Sequence, residues 1–218
     1  MRRIIDFFII PLTIILLLLT GVFFYQRSIV RHRSVDGYIG DLKSSKVEDR
    51  WYAAYQLGRF KDSKALNALG GALRDERNEV RWHAALSLGL LGDSKAVPYL
   101  VPMLKDSNLG VRMCAARSLG VLQSQEAVQS LLELLKGERD ESWITILWAL
   151  GNIGDVSAIE PLKGFLADGS EAVREETACA LARLGHSDGE SILKAMSQSQ
   201  DSIKRDIASE ALKLIQRR

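Results

Sequence analysis

The side chains best suited to metal or nucleophilic chemistry are few: His32, His83, His186, Cys114 and Cys179. No Cys-x-x-Cys pair occurs, nor any Cys/His spacing of the kind that holds zinc. A nucleophilic cysteine wants a histidine within hydrogen-bond reach. Cys114 stands a full repeat unit away from His83, in the register set out below. The glycines follow that register too and form no phosphate-cradling loop. The adjacent carboxylates Glu175 and Glu176 read as a solvated helix surface. These residues supply no catalytic group, no cofactor-binding group and no metal ligand. What the spacing does supply is contact chemistry. Trp51, Tyr55, Trp82, Leu86, Met113 and Trp148 fall at equivalent points of a repeat and form a stripe of large aromatic and aliphatic side chains. Exposed, such a stripe binds a protein or peptide by shedding water. Tucked between helices, it only fills gaps.

The elements that position the stripe repeat every 31 residues. The fragment beginning at Val80 reads VRWHAALSLGLLGDSKAVPYL, that at Val111 reads VRMCAARSLGVLQSQEAVQSL, and that at Val173 reads VREETACALARLGHSDGESIL. The residue after each valine serves as an anchor: Arg81, Arg112 and Arg174. The same step lands on Arg50 and Trp143, and Lys204 follows with one residue deleted. Gly58, Gly89, Gly120 and Gly151 stand eight positions after the anchor. Leu69, Leu100, Leu131, Leu162 and Leu193 stand nineteen after it. A fixed period of this length is the mark of a solenoid.

Each unit reads as two helices. Val80, Ala84, Leu88 and Leu91 recur at helical spacing and give one apolar face. Asp62, Asp93, Ser124 and Asp155 are placed to cap the helix that follows. The glycines sit inside helices, where each costs about 1 kcal/mol against alanine, so their recurrence predicts close helix crossings. Positions one before and three, four, seven and eight after the anchor face the core. Positions one, five and nine after it lie opposite, where the stripe runs through four units. It turns polar at Glu175, Cys179 and Arg183, then at Arg205, Ser209 and Lys213. The cysteines fall two units apart, about 20 Å at roughly 10 Å per helix layer. That is beyond disulfide reach, so both are expected as free, packed thiols.

The pattern resembles HEAT repeats, in particular the short HEAT-like repeats of the phycocyanobilin-lyase type. The resemblance rests on Asp106…Val111-Arg112, on Asp168…Val173-Arg174, and on the Ala-Ala…Leu-Gly core. It covers about residues 34–216. It implies an all-α, right-handed α-solenoid of about six helix pairs, and an ion-pair ladder through Asp75, Arg81, Asp106, Arg112, Asp168 and Arg174. Gly137 and Trp143 replace the Asp and Arg in the fourth unit, so the ladder is expected to break there. Arrays of this family mostly hold partners. The alternative it implies is an enzyme or enzyme accessory of the lyase or hydroxylase kind. The paired His-Glu motifs of HEAT-like iron hydroxylases are absent from this sequence.

Ahead of the repeats, residues 7–26 contain no charged side chain. As a helix, 20 residues span about 30 Å, the thickness of a bilayer core. No A-x-A-like site follows, as a cleaved signal would require. The reading is one uncleaved transmembrane helix in residues 1–27, contacting lipid through residues 4–26. A basic juxtamembrane linker spans 28–33, and the repeat domain spans 34–218. The chain would then be a single-pass protein of the cell (inner) membrane. The basic flank after the span tips the repeats toward the cytoplasm. Of the net charge of +2, residues 1–33 carry +4, leaving about −2 on the repeats. A slightly acidic body does not suit nucleic acid, which requires a net basic face. The repeat domain is expected to be monomeric and to carry no cofactor.

Overall fold

The computed structural model describes residues 34–137 and 140–217. The expected anchor and basic linker lie outside the described residues. Among those described, no helix is long and apolar enough to cross a membrane. Twelve α-helices and no strand are present among them. They pair in order as α1 (Val35–Asp41) with α2 (Val47–Phe60), α3 (Ala65–Ala72) with α4 (Asn78–Leu91), and α5 (Val97–Leu100) with α6 (Leu109–Val121). Then come α7 (Val128–Leu134) with α8 (Ser142–Ile153), α9 (Ile159–Lys163) with α10 (Glu171–Arg183), and α11 (Glu190–Ser197) with α12 (Ser202–Gln216). The chain is an all-helical repeat solenoid.

The second helices α2, α4, α6, α8, α10 and α12 pack in sequence against one another and form the main layer. The first helices are shorter. α5 is four residues flanked by 3-10 turns at Ser94–Ala96 and Val101–Lys105. Pro98 and Pro102 withhold backbone donors there, which keeps a longer α-helix from forming. Asp62, Asp93 and Asp155 each accept a backbone N–H two residues on, at 2.9 Å, and so start their first helices as expected. Ser124 makes no such cap bond. α4 and α8 end at Gly92 (φ 72°) and Gly154 (φ 79°), a left-handed turn that glycine adopts without strain.

The expected core face is buried in the middle of the array: Val80, Ala84, Ala85 and Leu88 are fully enclosed, as are Val111, Ala115, Ala116 and Leu119. The helical glycines mark the contact between layers. A Cβ on Gly58 would fall 2.7 Å from the Ser87 Cα, and one on Gly120 2.8 Å from the Ala149 Cα. The position six after each anchor, unmarked by any sequence signal, receives these contacts. It holds Ser87, Ser118, Ala149 and Ala180, all buried.

Among the described residues, the ion-pair ladder is present from Arg50 to Asp140 but not at Arg174, which donates to the Asp168 carbonyl at 2.6 Å, and its register takes two corrections. Arg50 grips Asp75 at 2.7 and 2.9 Å, and Arg81 grips Asp106 at 2.8 Å through two nitrogens. Each guanidinium also donates to the turn before it, as Arg81 does to the Asp75 carbonyl at 3.0 Å. The first correction concerns the fourth unit. The rung survives at Arg112, because Asp140 replaces Gly137 as acceptor. The interruption comes one step later, where Trp143 packs edge-on against Phe165 with ring centroids 5.4 Å apart. The second concerns the sixth unit. Arg205, not Lys204, donates to the carbonyls of Ser199 and Gln200 at 2.8 Å. No residue is deleted, and the period of 31 holds to the end of the array.

Candidate functional site

The outer face of the second helices carries the stripe. Trp82 is 44 % exposed. Trp51, Tyr55, Leu86, Met113 and Trp148 are half-buried, with Leu86 and Trp148 resting on the core. The ring of Trp148 lies 3.0 Å from the place a Cβ on Gly120 would occupy. The six residues therefore share one surface, neither sealed in the core nor standing free of it. Leu90 and Val121, nine positions after their anchors, extend the surface at 42 % and 51 % exposure.

The register missed His83. It sits two positions after its anchor, and its ring fills the gap between two indoles. The Trp51 ring lies 4.9 Å from it, Trp82 5.0 Å, and Tyr55 6.2 Å edge-on. Its Nδ1 lies 2.7 Å from the Glu79 carbonyl, a bond that requires Nδ1 to carry a proton. Position two of one unit thus inserts beside position one of the unit before. The same relation brings the Trp82 side chain beside Cys114. The sequence signal was the aromatic or polarisable residue at Tyr52, His83 and Cys114, directly after the stripe position.

Two guanidiniums complete the surface. Arg59 stands 5.6 Å over the Tyr55 ring, with Nη1 3.4 Å from its hydroxyl. Arg117 stands 5.4 Å over the Trp148 ring. Both are exposed. Stacking of this kind holds a planar cation in place while leaving its N–H edge open.

At the fifth unit the surface changes to ion pairs. Lys204 bonds Glu175 at 2.8 Å and Arg183 bonds Glu176 at 2.9 Å. Glu175 and Glu176 are half-buried pair members rather than the solvated surface expected, and burial pushes the Glu176 carboxyl up. Both cysteines are free and buried. Burial pushes each thiol up to about 11, which leaves little thiolate at neutral pH. Among the described residues no three His, Cys, Asp or Glu side chains gather as a metal site.

Comparison with known proteins agrees with this architecture. The family model described as HEAT repeats matches residues 41–108, 83–144 and 143–213. The complex of CpcE and CpcF of phycocyanin lyase from Nostoc sp. PCC7120 contains a chain 31% identical to this one. The match covers 84% of this chain and 77% of that one, with a TM-score of 0.73. A designed armadillo repeat protein in complex with the peptide (KR)4 is 19% identical over 84% of this chain and 100% of its own, with a TM-score of 0.57. An engineered protein is 23% identical over 85% and 98%, with a TM-score of 0.58. These last two show the fold alone. No curated protein sequence matches the chain.

Proposed function

Since this chain belongs to the HEAT-repeat family, we propose that it is a protein-binding scaffold whose second-helix face holds a protein or peptide partner beside a membrane. The observation that carries the reading is the aromatic run Trp51–His83–Trp82, continued by Met113 and Trp148, on one solvent-facing surface. Large aromatics at a partly exposed surface give much contact area for little lost side-chain freedom. A neighbouring protein lends support: the phycocyanin lyase chain is seen in a complex with another subunit. The membrane tether rests on the charge-free residues 7–26 and the arginines that flank them. The reading assigns no catalysis to this chain.

The test pairs binding with stability. Crosslinking of the full-length chain in its own membranes identifies the partner. Trp82→Glu and Trp148→Glu should then abolish capture while moving the melting temperature by only a few degrees. Unfolding of both variants would make the stripe core and remove the site. The tether is tested separately: the chain should stay in the membrane fraction, at full length, through a carbonate wash.

A second reading, an enzyme accessory of the lyase kind, is favoured by the 31% identity to the phycocyanin lyase chain. Co-elution of this chain with phycocyanin, or a change in the visible spectrum of phycocyanin on mixing, would favour it over the scaffold.

A further inference from the structure

The second helices of the first four units, α2, α4, α6 and α8, carry five arginines. Three of them, Arg50, Arg81 and Arg112, are committed to carboxylates of the ladder. The other two, Arg59 and Arg117, lie on aromatic rings of the stripe, and no carboxylate among the described residues is bonded to either. Across these units, positions one, two, five and nine after the anchor hold no aspartate or glutamate. At those positions carboxylates begin only at Glu175 and Glu176, which are already paired. The aromatic surface therefore offers two ring-stacked cations toward the later turns of its helices, with Glu48, Glu79 and Glu141 on the same face but at the helix starts.

Resting on the scaffold reading above, we infer that the occupant of the stripe is an extended peptide segment whose apolar side chains are flanked by carboxylates. A guanidinium stacked on a ring is pre-organised to accept a carboxylate through two parallel hydrogen bonds. Arg59 and Arg117 are two units apart, which at about 10 Å per helix layer separates them by about 20 Å. An extended chain rises about 3.3 Å per residue, so two carboxylates about six residues apart meet both cations. The residues between them lie over Trp82, His83 and Leu86. A basic segment on that path would meet like charges at Arg59 and Arg117, which discriminates against it there by repulsion.

The probe is an array of immobilised heptapeptides with apolar centres and with both ends acidic, basic or neutral, overlaid with the full-length chain in detergent. Acidic-ended peptides should be retained in preference. Arg59→Glu with Arg117→Glu should weaken their retention at least about tenfold, the scale of one charge-assisted hydrogen bond. Arg59→Gln with Arg117→Gln, a milder change at two exposed sites, should weaken it in the same direction. Retention of acidic peptides unchanged in both pairs overturns the inference. So does preference for basic or neutral ends. If that preference is lost in Trp82→Glu, the stripe still binds and only the charge assignment fails. Retention of no peptide overturns the peptide occupant, and the stripe is then judged by partner capture alone.

Discussion

At the scale of single residues, the arginines of this chain do two different jobs that their spacing only half reveals. Arg81 lies between two turns. It donates to the Asp75 carbonyl behind it and to the Asp106 carboxylate ahead. The Asp106 side chain is 9 % exposed, so solvent screens the pair little. The Arg81 guanidinium, opposed by the cost of burial, holds the Asp106 carboxyl below its ordinary range. A carboxylate with a lowered folded-state pKa contributes stability that is present above the unfolded value of about 3.9. That contribution is lost as pH falls through the lower folded value. Asp106→Asn should therefore cost about 2 kcal/mol at pH 7, the range for a hydrogen bond to a charged group. The difference from the wild-type chain should shrink toward zero as pH falls through the depressed value. Urea unfolding at a series of pH values from 7 downward checks this. A difference that persists at the acid end would mean that Asp106 acts by packing alone.

The element scale shows what was legible and what was not. A period of 31 residues located the six helix pairs, the buried face at Val80, Ala84 and Leu88, and the close crossings at the glycines. Those features depend on side-chain size, which sequence displays directly. The shift of the rung carboxylate from position 137 to Asp140 was not legible, because the rung depends on where a carboxylate arrives rather than on its number in the repeat. His83 was missed for a related reason. It lies between two helices, so its partner Trp51 belongs to the previous unit, and a single-helix wheel does not show it. The crossings give a prediction in which two effects oppose. Alanine gains about 1 kcal/mol over glycine in a helix interior. At Gly120 the new methyl would meet the Ala149 backbone at 2.8 Å, and overpacking of that kind costs about 1–3 kcal/mol. At Gly71 nothing lies within 4 Å. Gly120→Ala should thus lower the melting temperature and Gly71→Ala should raise it. The same sign for both would show that the layers slide apart freely.

For the whole molecule, the stack controls what may associate with it. Eight positions after each anchor, the helix meets its successor through Gly58, Gly89, Gly120, Gly151 and Ala182, all buried. The sixth unit carries Lys213 at that point, exposed, with Asp206 and Ser209 exposed beside it. That surface of α12 suits water rather than another helix or a second copy of the chain, since a buried lysine without a partner would cost several kcal/mol. A different face of α12 exposes Ile203 at 69 %, Ile207 at 42 % and Leu214 at 40 %. Three side chains there fall well short of the area that stable association requires, about 800 Å² per partner. Residues 34–218, expressed without the preceding segment, should therefore be monomeric and mostly helical by sedimentation and circular dichroism. Dimers that dissociate on Ile203→Glu would place a contact on α12 and remove the polar end from the argument. Dimers that dissociate only on Trp82→Glu would mean that the stripe accepts a second copy of itself, and the acidic peptide would lose its place there.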